Sequence, residues 1–303
     1  MSYRLKLGKS LKAGVGKVAR KQLEGALRGL ETDAAQRADA VHDIRLHLKK
    51  LRAVLRLVRG ELGGDYQREN ACFREAGHAL SGPRDAQAAL KQLGELAQRT
   101  RQQHGDDASL RDALELLRRR LTENQCALDG PSTTELWGRI ADALRSATER
   151  VESWSDKVRG FESIAAGLEN TYRRGRRAMI AALRDPRPET LHEWRKQAKY
   201  HRYQINLMED AWPELMKCRT ASLKRLSDLL GDDHDLVVLG ESARNQLADH
   251  DALPRCIELV DRRRDELFDE LKPLGRLLYA EKPKALRRRI EAYWQIRCAE
   301  ADV

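Results

Sequence analysis

An eighteen-residue basic stretch occurs twice in this chain of 303 residues, and that repeat constrains the fold more than any other feature. The first copy is VHDIRLHLKKLRAVLRLV, from Val41; the second is LHEWRKQAKYHRYQINLM, from Leu191. At a constant offset of 150, His42 matches His192, Arg45 matches Arg195, Lys49 matches Lys199 and Arg52 matches Arg202. The offset continues without a gap: Arg74 falls on Lys224, Leu80 on Leu230 and Asp85 on Asp235. A fixed internal period predicts a chain built from two similar halves, here 1–155 and 156–303, each carrying the same cationic face.

At about 100° per residue, His42, Arg45, Lys49, Arg52 and Arg56 share roughly an 80° arc of one helix. Such a row is ordinarily a solvated face opposite a single apolar stripe. Here the row has apolar residues on both sides. Val41, Ile44, Leu48, Leu51, Leu55 and Val58 flank it on one side; Leu46, Ala53 and Leu57 flank it on the other. The outward back is left to Asp43, His47, Lys50 and, out of character, Val54. The second copy keeps this layout, with Glu193, Gln197 and Gln204 on its back, Asn206 in place of Arg56 and Lys196 in place of Leu46. The pattern predicts a basic row facing inward, into a groove between helices. Like charges turned inward are costly unless they face water, a partner or an anion. Acids are scarce along both stripes, so the sequence points to an external polyanion as the countercharge.

Composition fits an all-α chain. Aromatic residues are 5%, proline totals 8, and β-branched runs are almost absent. The net charge of +10 favours acidic partners, such as phosphate chains, nucleic acid or anionic membranes, without choosing among them. Five cysteines lie far apart with no CxxC, which predicts a reduced, cytoplasmic protein rather than a disulfide or zinc framework. The start, MSYRLKLGKSLKAG, has no apolar core of signal-peptide length, and no stretch reaches membrane-span length.

The periodicity predicts helices over about Val15–Leu30, Ala38–Leu62 and Tyr66–Leu80, one starting near Arg84, then Ser109–Leu128 and Thr134–Trp154. In the second half it predicts Phe161–Leu183, a stripe helix ending near Glu209, Glu214–Leu230, Asp235–Leu247, Arg255–Leu271 and Lys284–Arg297. Gly231-Asp232-Asp233 is expected to interrupt the chain between two of these helices, and Asp185-Pro186-Arg187-Pro188 to break it firmly. Four or more helices per half with short links suit a bundle.

These residues resemble the CHAD family, named for a histidine-containing α-helical domain. Its repeated helix reads H-x-x-R-x-x-x-(K/R)-x-x-R, present as His42-x-x-Arg45-x-x-x-Lys49-x-x-Arg52 and again from His192 to Arg202. A later (R/H)-D element appears as Arg84-Asp85 and His234-Asp235, and a C-terminal pattern as Leu278-Tyr279-Ala280-Glu281-Lys282-Pro283-Lys284 with Trp294. The resemblance implies two pseudo-symmetric four-helix-bundle repeats around a central basic pore. It also implies binding of inorganic polyphosphate and, in some members, association with polyphosphate granules. Some members add a strand-rich triphosphate-tunnel domain with catalytic acids; no such extension is read here, so no enzyme role is implied.

A phosphate chain has no bases to read, so a receptor needs cationic donors along a track. Arginine supplies bidentate forks and lysine mobile point charges. The expected polyphosphate-binding set is His42, Arg45, Lys49, Arg52 and Arg56 with His192, Arg195, Lys199 and Arg202. Arg74 and Lys224 on the following helices join it, then Arg173 and Arg176, Arg20 as a looser counterpart, and Lys282. His42 and His192 are read either as phosphate donors or as hydrogen-bonded groups at a helix entrance. Asp232-Asp233-His234-Asp235 is the one cluster that suggests a metal-dependent phosphohydrolase, yet its nearest histidines lack a helical i,i+4 partner. No cofactor is expected. Nucleic-acid binding is a further alternative, disfavoured because the basic rows interleave with aliphatics rather than stacking aromatics.

Overall fold

The computed structural model describes residues 3–8, 10–32, 37–80, 89–99, 108–126 and 132–301. These form helices joined by turns, with no strand among the described residues, so the chain is all-α. In chain order the helices are α1 (Leu11–Leu30), α2 (Arg37–Leu57), a short α3 (Arg59–Leu62), α4 (Gly64–Ala79) and α5 (89–99). Then come α6 (Ala108–Cys126), α7 (Ser132–Lys157), α8 (Glu162–Arg184), α9 (Pro188–Leu207), α10 (Pro213–Gln246), α11 (Leu253–Leu278) and α12 (Pro283–Ala301). The Arg84-Asp85 element lies outside the described residues. No helix among those described is long and apolar enough to cross a membrane.

The helix order repeats at the sequence offset. α2 packs on α1 and α4, as α9 packs on α8 and α10; α1 packs on α7, as α8 packs on α12. Two apolar cores result. The larger takes side chains from α1, α2, α4, α7, α8, α9, the start of α10, the end of α11 and α12. The smaller joins α5, α6, the second part of α10 and α11. Each core draws on both halves of the sequence. α10 runs through both, with Leu229 packed against each.

That continuity departs from the expected break at Gly231-Asp232-Asp233. A glycine and two aspartates in a row weaken a helix because the aspartates compete for backbone hydrogen bonds. Here Asp232 accepts from Gln92 Nε2 on α5 at 3.2 Å, and Asp233 accepts from Arg264 Nε on α11 at 2.9 Å. Tertiary partners occupy both carboxylates, and the helix passes through.

The stripe helix α2 ends earlier than its periodicity suggests, at Leu57 rather than Leu62. Gly167 of α8 crosses this end so closely that an added Cβ would meet the Leu57 carbonyl oxygen at 2.0 Å and the Arg56 carbonyl oxygen at 2.6 Å. Both obstacles are backbone, which cannot swing aside. Gly167→Ala is expected to destabilise the fold by about 2 kcal/mol or more, because overpacking outweighs the gain of about 1 kcal/mol in helix propensity. A thermal or denaturant melt checks this; unchanged or raised stability would contradict so close a crossing.

Of the outward back that the pattern predicts for α2, only Asp43 is exposed. Val54 is 1% exposed, and His47 hydrogen-bonds Gln22 of α1 at 3.0 Å. Lys50 is half-buried over the Tyr3 ring, close enough to Arg202 to be held below its usual pKa by burial and that charge. On α9, Gln197 and Gln204 are likewise buried, Gln204 donating to the Ala53 carbonyl of α2 at 3.4 Å. α1 covers the α2 back, and the segment before α1 straps both stripe helices. Tyr3 donates to the Lys50 carbonyl at 2.8 Å, and the Leu5 amide donates to the Leu207 carbonyl at 2.9 Å.

Candidate functional site

α2 and α9 pack against each other where α10 passes between the two cores, and a cavity of about 260 Å³ opens there. α2 supplies Arg45, Lys49 and Arg52, which share a face at i, i+4 and i+7. α9 supplies His192, Arg195, Lys196 and Lys199 with the rings of Tyr200 and Tyr203, and α10 supplies His234 and Asp235. Among the described residues, six lysine and arginine side chains thus line one small space beside one carboxylate, Asp235, with Lys196 also paired to Glu193 of its own helix. The two stripes, 150 residues apart in sequence, meet there.

Local structure fixes the cations. Arg187 is extended and Pro188 opens α9, while Thr190 Oγ1 donates to the Asp185 and Arg187 carbonyls at 2.6 and 2.8 Å, so the double-proline turn launches the helix in a set direction. Arg45 donates through Nη1 to the Leu80 carbonyl at 2.8 Å and the Gly77 carbonyl at 3.4 Å. That places its charge at the C-terminal end of α4, where the helix dipole favours a cation. Arg195 lies against α10 at Gly231, where an added Cβ would sit 3.3 Å from its guanidinium. Arg52 and Arg56 both donate to Asn70 Oδ1, at 3.3 and 3.2 Å, and Arg56 lies 3.8 Å from the Tyr200 ring centroid.

The His192 and His234 rings are 5.1 Å apart. Burial, then the charges of Arg195 and Lys196, hold His192 below the usual imidazole pKa. A lowered imidazole pKa makes the unfolded chain take up its proton first as pH falls. The contribution to stability is therefore intact above about 6.5, the ordinary value, and is lost as pH falls below it.

The expected residues divide. Arg45, Lys49, Arg52, His192, Arg195 and Lys199 line the cavity. Arg56 is turned under Tyr200. Arg202 lies over the Tyr203 ring at 4.7 Å, beside Lys50. Arg74 is exposed and pairs with Glu75, although its charge reaches Arg52. His42 is exposed on the first turns of α2. The rest lie elsewhere, most of them held by nearer partners. Arg20 pairs with Glu152 of α7 at 3.4 Å, Arg173 with Glu169 one turn earlier, and Lys224 with Asp228 at 2.7 Å. Arg176 donates to the Tyr279 carbonyl at 3.2 Å, and Lys282 is exposed, its carbonyl accepting from the first turn of α12.

Lys196, Tyr200, Tyr203 and His234 are wall residues that the stripe pattern does not select. Two tyrosines within one turn of the second stripe, absent from the first, were the available signal. The Asp232–Asp235 cluster does not converge. Successive helical residues diverge by about 100°, so Asp232 reaches α5, Asp233 reaches α11, and His234 with Asp235 face the cavity. Among the described residues no group of three or more His, Cys, Asp or Glu could hold a metal ion. His201 is fully buried between the rings of Tyr172 and Tyr279, and burial, then the Arg219 charge, hold its pKa well below the usual imidazole value.

Among solved structures, the chain is similar to one described as the crystal structure of the CHAD domain from the plant Ricinus communis. Identity is 17% and the TM-score 0.49, with 96% of this chain and 97% of that chain covered. No curated protein matches the chain. The family model described as CHAD domain matches residues 17–244, a span that contains both stripes and all of the cavity wall. This chain belongs to the CHAD domain family.

Proposed function

We propose that this protein is a non-enzymatic receptor for inorganic polyphosphate, acting in the cytoplasm and at polyphosphate granules, with the two halves contributing to one site. The observation that carries the reading is the convergence of both stripes on one cavity where, among the described residues, six cations stand beside one carboxylate. A flexible anion with one charge per unit matches that wall better than a shaped neutral ligand does, because arginine forks and lysine point charges can follow its backbone. Nucleic acid is disfavoured by Tyr200, whose ring already carries Arg56 at 3.8 Å and offers no open stacking platform.

The test is calorimetric titration with long-chain polyphosphate, orthophosphate and RNA at one salt concentration, followed by an assay for released phosphate with magnesium or manganese. Tight binding of polyphosphate alone, with no phosphate release, is expected. Equal affinity for orthophosphate contradicts a multi-cation track, and metal-dependent release abolished by Asp235→Ala would establish the phosphohydrolase alternative.

Binding also carries a pH signature. Burial first, then the charges of Arg195 and Lys196, depress the His192 pKa; a polyanion beside it counters those charges, so the bound state takes up a proton. Affinity is expected to rise from about pH 7.5 to 6, by at most about tenfold per pH unit, because one proton at most is taken up at this imidazole on binding. His192→Gln is expected to flatten that profile. An affinity that falls with acidification would contradict this coupling.

A further inference from the structure

We infer that Asn70 of α4 is a positioning residue for this site: its amide oxygen, with the Tyr200 ring as backing, orients Arg52 toward the cavity without neutralising it. The inference rests on the polyanion reading above. Arg52 Nε donates to Asn70 Oδ1 at 3.3 Å, and Arg56 Nη1 donates to the same oxygen at 3.2 Å. Arg56 also donates to the Arg52 carbonyl at 3.1 Å and stacks on Tyr200 at 3.8 Å, while Arg52 lies 5.7 Å from that ring. Two guanidinium groups one helical turn apart repel, so something must hold them. A carboxylate would do so most strongly, but it would form an ion pair and cancel charge the cavity needs. An amide oxygen accepts two hydrogen bonds and carries no net charge, and an aromatic face attracts cations in the same neutral way. Two donors converging on one atom also fix which end of the Asn70 amide faces them.

The other half lacks this device. At the repeat offset, Asn70 falls on Thr220, Arg56 on Asn206 and Tyr200 on Lys50, so the clamp belongs to the first stripe although its aromatic backing comes from the second. Charge and hydrogen bonding elsewhere on α4 follow a different rule. The neighbouring Glu69 is buried and takes Arg150 in a two-pronged pair at 2.5 and 3.0 Å, so a carboxylate holds an arginine where the structure keeps it away from the cavity.

The experiment is a double-mutant cycle on polyphosphate affinity, with melting temperatures measured in parallel. Asn70→Asp keeps the shape and adds the charge; it is expected to weaken binding roughly tenfold while the melting temperature holds or rises. Asn70→Ala, a safe helical replacement, is expected to weaken binding roughly threefold. Both losses are expected to disappear in an Arg52→Ala background, because Asn70 acts through Arg52. If Asn70→Asp costs as much with Arg52 absent, it acts as a remote charge and the inference falls. It falls equally if Arg52→Ala weakens binding and neither Asn70 variant does. If the unaltered protein does not bind polyphosphate, or Arg52→Ala leaves binding unchanged, the polyanion reading itself fails and takes the inference with it.

Discussion

Lys49→Glu and Lys199→Glu are each expected to weaken polyphosphate binding roughly 10- to 100-fold. One lysine stands on α2 and the other on α9, and both line the same cavity. Each substitution removes a cation and adds an anion in a partly desolvated space, where charges interact more strongly than at an open surface. At an effective dielectric of about 40 to 60, a two-charge change about 6 to 8 Å from a phosphate accounts for about 1.4–2.8 kcal/mol. Arg145→Glu is the control. It makes the same charge change on exposed α7, where the arginine pairs with Asp142 one turn earlier; a loss of less than about threefold is expected there. Lys50, one residue from Lys49, is an unsuitable control because it is half-buried beside Arg202. Helicity by circular dichroism should be unchanged in all three variants, since apolar flanks such as Ile44, Leu48 and Leu51 hold α2 in the core. Equal losses for Arg145→Glu and Lys49→Glu would assign binding to overall charge.

Affinity for long polyphosphate is expected to fall roughly 300- to 1,000-fold between 50 and 200 mM salt. Among the described residues, six cations line the cavity. By analogy with nucleic acids, each neutralised phosphate contributes a slope of about −0.7 to −0.9, so six predict a slope of about −4 to −5. Isotherms at three or more salt concentrations measure it directly. A slope near −1 would mean that the stripes do not act together. A slope far steeper than about −6 would bring in cations beyond the cavity wall, with Arg74 and Arg202 the nearest candidates.

The repeat made much of this architecture legible. An offset of 150 predicts that the helices after the first stripe recur after the second, and α1, α2, α4 and α7 find their counterparts in α8, α9, α10 and α12. The apolar residues that bracket the cations are buried, Ile44, Leu48 and Leu51 on one side and Ala53 and Leu57 on the other. What the pattern could not give was which apparent polar faces are covered. Val54 was the sign that the α2 back is not solvated, but nothing local says that α1 and the Tyr3 strap lie over it. Gly231-Asp232-Asp233 reads as a break because the partners that occupy both aspartates, Gln92 and Arg264, are far away in sequence. Basic residues such as Arg173 and Lys224 look like members of a track until their own i,i+4 acids are noticed. Arg56 and Arg52 look equivalent along the stripe. Only the approach of Asn70 and Tyr200 from other helices separates the one that is tucked away from the one that lines the cavity.

The most direct test of the central claim, that two distant stripes build one polyanion site, is a crystal structure of the protein soaked with tripolyphosphate. The account predicts density for the anion between α2 and α9, with phosphate oxygens in hydrogen-bond range of side chains from both helices, Lys49 and Arg52 on one side and Arg195 and Lys199 on the other. Density confined to exposed arginines such as Arg20 or Arg74, with the cavity between the stripes bare, would contradict it.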